Sequence, residues 1–378
     1  MDLSLTESQQ MLKATAAEFV KTEVPTHVVT ELSRKNVGFV PELWRKAAGL
    51  GWAGMLTPAQ YGGAGLGYTD TAVLFEELGR APLVGPFFSS GVLAPLVILE
   101  AGTEQQKQTL LPPLARGERI AAVAISDPAP AFGVESVVMT ATRDGDAFML
   151  NGTKLFVHDA AAADYLICAV RTEPEDPQDL SRGISLLVME TGAAGVTVRN
   201  LEGFMAAVGQ VDLSGVRVPA SAVLGTPGQG WPALQRAMQR ALPVLCAYQV
   251  GGAQEVYEFT ADYTRTRVVF GQPIGRFQRV QDHVVELVNN LDGARWTTYE
   301  ALAMLDDRQP AAGNVHLAKA VASEGYYQAC VNSLEVHAGV GTDRQHPLVP
   351  HVIMARTLYS YLGDPRYHKR LMADAVGL

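Results

Sequence analysis

At 378 residues, with 48% hydrophobic and 18% charged side chains, the chain is long enough for two or three domains and apolar enough to bury a large core. A formal net charge of -9 argues against a nucleic-acid surface and leaves anion binding to local basic pockets. Cys168, Cys246 and Cys330 are far apart, sit in apolar surroundings and show no C-x-x-C spacing, which points to buried free thiols in a reducing cytoplasm. The first ten residues, M-D-L-S-L-T-E-S-Q-Q, carry neither a basic nor an apolar leader segment, and no apolar run reaches transmembrane length. Neither export nor membrane contact is expected.

Periodicity changes character twice along the chain. From Thr6 to about Gly117 apolar residues recur at three and four (Met11, Ala14, Phe19, Val20; Leu43, Trp44, Ala47, Leu50), with breaks at Pro41, Pro58, Gly62, Gly63 and Pro82, so helices are predicted. From about Ile120 to Gly225 short β-branched or alternating runs take over: 121–125, 137–142, 147–150, 165–170, 184–190, 196–200 and 211–218. Arg143-Asp144-Gly145-Asp146 and Asn151-Gly152 are expected to be turns between them, and the acidic, Pro-containing stretch 173–182 an exposed loop. From Trp231 to Met372 the helical period returns, with breaks near Gly271, Pro310 and Gly339 and one helix from about Pro243 to Thr266. The expected fold class is α+β: an N-terminal α-helical domain (1–119), a middle β-sandwich or barrel domain (120–226) and a C-terminal four-helix bundle (227–378).

One segment stands out. Arg267 to Gln281, R-V-V-F-G-Q-P-I-G-R-F-Q-R-V-Q, combines a cation, an aromatic, a tight Gly-Gln-Pro turn and two amides three apart, which suits a helix end where a pyrophosphate and a flat ring dock. The string R-x-x-F-G-x-P-I-x-x-F-Q-x-x-Q resembles the signature of the acyl-CoA dehydrogenase family. So do P-A-Q-Y-G-G-A-G-L-G-Y (58–68), F-E-E-L-G-R (75–80), G-T-E-Q-Q-K-Q-T-L-L-P-P-L-A-R-G-E (102–118), N-G-T-K (151–154), A-K-A (318–320) and H-A-G-V-G (337–341), in the family's order. The resemblance spans essentially the whole chain. It implies FAD as cofactor, an acyl-CoA substrate, an electron-transfer flavoprotein as acceptor, and a tetramer. It also implies that Arg267 and Gln278 reach the FAD diphosphate and adenosine half across a subunit interface, with Phe270 packed nearby.

Elsewhere the family pattern is altered. The Gly-rich flavin loop T-E-P-G-x-G-S-D corresponds to Ser126-Asp127-Pro128-Ala129-Pro130-Ala131-Phe132-Gly133, where two glycines are lost and Pro130 lacks an amide donor. The flavin-ring contact W-I-T corresponds to Phe156-Val157-His158, with an imidazole replacing the small hydroxyl. Q-x-x-G-G corresponds to Glu335-Val336-His337-Ala338-Gly339, so Glu335 stands where an amide meets the adenosine phosphates. The catalytic Glu of the family's Tyr-Glu-Gly-Thr string falls on Leu362 within Tyr361-Leu362-Gly363-Asp364, and the alternative base position on the preceding helix falls on Ala241, between Arg240 and Leu242. Asp364 is the nearest carboxylate, as base or as a helix N-cap before Pro365.

Three functions follow from this pattern. The chain is a subunit of a hetero-oligomeric acyl-CoA dehydrogenase whose homologous partner brings the base; or a self-sufficient homotetramer using Asp364; or a cofactor-free binding subunit. The ending L-G-D-P-x-x-H (362–368) is similar to a divergent branch built in the first way. No metal is expected, because His337, His346 and His351 match no standard zinc spacing. Gly225 to Gly230, G-T-P-G-Q-G, lacks the Lys-Ser/Thr of a P-loop and is expected to be a hinge. Ser126 and Tyr248 are candidates to line the acyl or thioester path.

Overall fold

The computed structural model describes residues 4–204 and 207–378. The first three residues of the segment expected to lack a leader lie outside them. In chain order the elements are helices α1 (Glu7–Glu23), α2 (Thr26–Arg34), α3 (Pro41–Gly49), α4 (Tyr68–Arg80), α5 (Ala94–Ala101) and α6 (Glu104–Ala115), then strands β1 (Ala121–Ala124), β2 (Ala141–Asp144), β3 (Ala147–His158), β4 (Tyr165–Arg171), β5 (Ile184–Glu190), β6 (Val196–Asn200) and β7 (Val208–Pro219). There follow α7 (Gly230–Thr266), the short strands β8 (Val268–Val269) and β9 (Gln272–Pro273), α8 (Gln278–Asp306), α9 (Ala312–His337), α10 (Leu348–Tyr359) and α11 (Pro365–Ala375). Helices, sheets and helices therefore succeed one another as the periodicity predicts. Grouped by contact rather than chain order, two compact units emerge. The first holds residues up to Asn36 with Tyr68–Leu83 and Leu242–Leu378, and the second holds Val37–Gly67 and Val84–Ala241.

In the first unit the helix starts are set by local chemistry. Thr6 caps α1 through a reciprocal box with Gln9, and Asp364 caps α11 with Pro365 at its first position. Helix α7 has no break at Pro243; it began at Gly230, so the helix expected from about Pro243 is thirteen residues longer at its start. Two glycines let α4 and α7 cross at backbone distance. A Cβ on Gly79 would meet the Tyr248 carbonyl oxygen at 1.9 Å, and one on Gly251 would meet the Glu76 carbonyl oxygen at 1.8 Å. Tyr326 fills the adjoining core, fully buried, its hydroxyl 2.8 Å from His351 Nδ1.

The second unit carries both sheets. One has the order β1-β4-β5, with β1 parallel to β4; the other is antiparallel, β2-β3-β7-β6, and β1 lies against β3. From Leu166 to Val170, β4 is wholly buried, as expected of an unbroken apolar central strand. Two sequence expectations fail here for identifiable reasons. Residues 137–140 are not a strand, because the Val138 and Met139 amides donate to the Asp127 carboxylate instead of a ladder, and β2 begins only at Ala141. Asn151-Gly152 is not a turn: β3 runs through it with a bulge, and Asn151 Oδ1 accepts from the Gly215 amide at 2.7 Å. The 173–182 loop is held from beneath by buried Arg171, which donates to the carbonyls of Val137, Leu180 and Arg182. All three cysteines are buried free thiols; burial pushes Cys168 and Cys246 up to about 12 and Cys330 upward as well.

Candidate active site

The clamp segment lies in the first unit, at the end of α7. Its turn is Phe270-Gly271 rather than Gly-Gln-Pro: β8 and β9 pair Val269 with Gln272, and the two loop residues have φ of 50° and 79°. Positive φ at both positions is the tight hairpin geometry that follows strand twist, and it is unusual for a phenylalanine. Phe270 is 92% exposed. Arg265 is bonded to Asp262, whereas Arg267 is exposed and has no ion pair among the described residues. Gln278 opens α8, its side chain 3.2 Å from Asp282 Oδ1, and Gln281 donates to the Gly275 carbonyl. Phe277, at the cap, supplies no side-chain acceptor and the first turn holds no acidic residue, so amide donors at this helix start remain for an anion. Arg267, without an ion pair among the described residues, and a 29-residue helix without a side-chain cap are each features that suit an anion.

The loop that replaces the Gly-rich flavin segment lies in the second unit and is built differently. Pro128 and Pro130 have no amide hydrogen, and the amides of Ala129 and Ala131 donate to the carbonyls of Asp127 and Ala129. Four successive positions thus offer no free amide to a phosphate. Ser126 joins the loop to β3 by accepting from the Leu155 amide at 2.8 Å. Beneath it is a pair the sequence analysis missed: Lys154 Nζ lies 2.7 Å from Asp127 Oδ1 and 2.9 Å from the Ile125 carbonyl, with both side chains essentially inaccessible. Desolvation lowers the Lys154 pKa, and Asp127 opposes the shift. Beyond Lys154, Phe156 turns outward, 49% exposed and in edge contact with Phe204, while Val157 turns inward. His158 ends the strand and is followed by buried Asp159.

The loop carrying Tyr361-Leu362-Gly363-Asp364 returns to the first unit. Leu362 has φ of 60°, and its carbonyl accepts from His368 Nε2 at 3.1 Å. His368 Nδ1 lies 3.0 Å from His316 Nδ1. With Nε2 donating, His368 Nδ1 accepts from His316 Nδ1, so the His368 ring is neutral; burial lowers the pKa values of His368 and His316 to about 3 and about 4. Lys319, brought down to about 8 by burial, donates to the Leu358 carbonyl and to Ser323. Asp364 Oδ1 accepts from the Tyr367 amide at 2.7 Å, so this carboxylate is a helix cap. Ala241 is fully buried inside α7, and buried Tyr248 donates to the Leu83 carbonyl.

Glu335 is exposed near the end of α9, and Gly339 is exposed in the turn after it. At the first position of the family's Gly-Gly pair, Ala338 has φ 49° and ψ -138°, a region nearly reserved for glycine. His337 stacks on Tyr263 at 4.3 Å, and His337, His346 and His351 all pack around the Phe259 ring. Among the described residues no group of three His, Cys, Asp or Glu side chains is placed to hold a metal ion.

Comparison with known proteins agrees along the whole chain. The acyl-CoA dehydrogenase N-terminal, middle and C-terminal domain models match residues 6–118, 122–216 and 228–377. The chain is 29% identical over 383 residues to the acryloyl-CoA reductase (NADH) of Anaerotignum propionicum, covering 100% of this chain and 96% of the relative. A solved FAD complex of PigA superposes with a TM-score of 0.90 at 26% identity, covering 100% of both chains. A chain of the ChsE4-ChsE5 complex from Mycobacterium tuberculosis superposes with a TM-score of 0.88 at 25% identity, covering 100% of this chain and 99% of that one. With three domain models matched in succession and the helix–sheet–helix order reproduced, the chain belongs to the acyl-CoA dehydrogenase family of oxidoreductases.

Proposed function

We propose that the protein is a subunit of an FAD-dependent acyl-CoA dehydrogenase that has lost its own catalytic carboxylate and works with a homologous partner that supplies one. Leu362 carries this reading: the resemblance sets an aliphatic side chain at the usual base position, in a loop held at the Leu358 and Leu362 carbonyls. Asp364, the nearest carboxylate, is engaged as a cap, which weighs against a self-sufficient enzyme using it as base. An unpaired Arg267 and a bare hairpin tip weigh against the cofactor-free binding subunit. The complex of two named chains among the solved relatives is an architecture of the kind proposed.

When bound, FAD supplies an acceptor for the β-hydrogen of the acyl-CoA as hydride. Arg267, Phe270 and Gln278 would reach the diphosphate and adenosine half of a FAD bound to a neighbouring subunit, with Glu335 and Gly339 at the adenosine side; Ser126, Phe156, Val157 and His158 would meet a flavin ring. Arg267 brings charge-assisted bonds to phosphate. His158 can donate toward the ring edge, and Phe156 offers an apolar face that keeps water away. At position 362 this chain neither accepts nor moves the α-proton. An electron-transfer flavoprotein is the expected electron acceptor, a tetramer the expected assembly, and the buried thiols suit a reducing cytoplasm. Purification alone and with a co-expressed homologue tests the reading: the pair should carry flavin and reduce ferricenium with acyl-CoA. Full flavin occupancy and turnover by this chain alone would refute it.

A further inference from the structure

The strand edge from Lys154 to Asp159 departs from an ordinary ladder. Lys154 is buried, Phe156 is half exposed, Val157 is buried again and so is Asp159. The register of β3 on β7 slips between Lys154 and Val157, and Phe156 and Asp159 have φ of 56° and 58°. Two side-chain-bearing residues in left-handed geometry within four positions are strained and persist only where both flanks are held. One flank is the Lys154–Asp127 pair. The other is Asp159: Oδ2 accepts from Ser89 Oγ at 2.6 Å, and the amide donates to the Ala207 carbonyl. Ser89 opens a widened π turn, Ser89–Leu93, which brings its hydroxyl to the carboxylate. The remaining oxygen, Oδ1, is buried without a hydrogen-bond partner among the described residues.

We propose that Asp159 is a positioning residue, fastening the Phe156-Val157-His158 edge to the π turn so that this edge presents one fixed surface to the flavin ring. The proposal rests on the assignment of that edge to the ring made above. A buried carboxyl with one hydroxyl bond and one bare oxygen is stable as the neutral acid, since the bare oxygen has no donor for a negative charge. Burial raises the Asp159 pKa to about 7, the Ser89 bond acting against the shift. Among the described residues no charged side chain of the π turn or of the segment before β7 offsets this, and the titratable residue before it in sequence is His158, at the end of β3. Ionisation therefore loosens the edge as pH rises through about 7.

The test compares wild-type, Asp159→Asn and Asp159→Leu, each with its homologous partner. Flavin affinity by fluorescence quenching and amide hydrogen exchange across 155–160 without flavin, corrected for intrinsic rate, are followed with pH. Wild-type affinity should fall about tenfold per unit above neutrality, the slope of one linked proton, and exchange should quicken in parallel. Asp159→Asn, which keeps the shape without the titration, should hold both readouts flat; Asp159→Leu should bind weakly at every pH. Identical pH profiles in wild-type and Asp159→Asn overturn the proposal. If no flavin binds to any variant, the flavin assignment fails on its own, and the exchange comparison still decides whether Asp159 fastens the edge.

Discussion

Replacing Lys154 by methionine keeps the aliphatic stem and removes the ammonium from a pair in which neither side chain reaches solvent. Asp127 would be left as a buried charge with only the Val138 and Met139 amides, at 2.6 and 2.7 Å, to stabilise it. Breaking a buried pair from one side costs about 3–5 kcal/mol, because the surviving charge keeps its desolvation penalty and loses its Coulombic partner. That is a large share of the roughly 5–15 kcal/mol that holds a domain folded. Adding Asp127→Asn should restore part of the loss, since the amide oxygen still accepts from both backbone donors and no buried charge remains. The two changes should therefore couple by more than about 1 kcal/mol in a double-mutant cycle. Urea unfolding followed by sheet-specific signals, together with amide exchange at Val138 and Met139, measures both effects. A Lys154→Met loss below about 1 kcal/mol, with those amides as protected as before, would refute the reasoning.

Acid should destabilise the first unit through its neutral imidazoles. His316, His351 and His368 have folded pKa values lowered to about 4, 3 and 3, so their contribution is complete above the unfolded value near 6.5 and is lost as pH falls toward 3–4. Unfolding free energy from urea titrations should fall by several kcal/mol, on the order of 5, over that window, and His316→Asn should flatten part of the fall. Ala338→Gly should stabilise the chain by about 1 kcal/mol in thermal unfolding, because the side chain sits at φ 49°, ψ -138°. Arg267→Ala should weaken FAD binding by about 1.5–3 kcal/mol, roughly 10- to 150-fold by titration, while leaving Tm of the flavin-free protein unchanged.

The large divisions of the fold were legible because they rest on periodicity. Strands β5 and β6 fall where alternation placed them, and the helical breaks near Gly271, Pro310 and Gly339 coincide with element ends. Where local signals misled, a tertiary partner had overruled them. Asn151-Gly152 has strong turn chemistry, yet β7 pairs along both sides of it. Residues 137–140 have strand composition, yet a carboxylate eleven positions back takes the amides of Val138 and Met139. At the candidate site, the clamp residues and the loss of the usual carboxylate are proposals that the family resemblance supplies. The braces were not legible: Lys154 with Asp127, Ser89 with Asp159, and Lys319 with the Leu358 carbonyl join residues 27 to 70 positions apart, and only folding reveals that they meet.

Two of the anchors of the loop around residue 362 are main-chain atoms: Lys319 grips the carbonyl of Leu358 and His368 that of Leu362. Neither anchor involves the side chain of residue 362, although its φ of 60° disfavours β-branched residues there. Gly363 has no such latitude, since an added methyl would collide with Tyr367 and His368 at 2.5 and 2.7 Å. On the proposed reading, exchange of a carboxylate for a hydrocarbon at residue 362 leaves both carbonyl anchors in place.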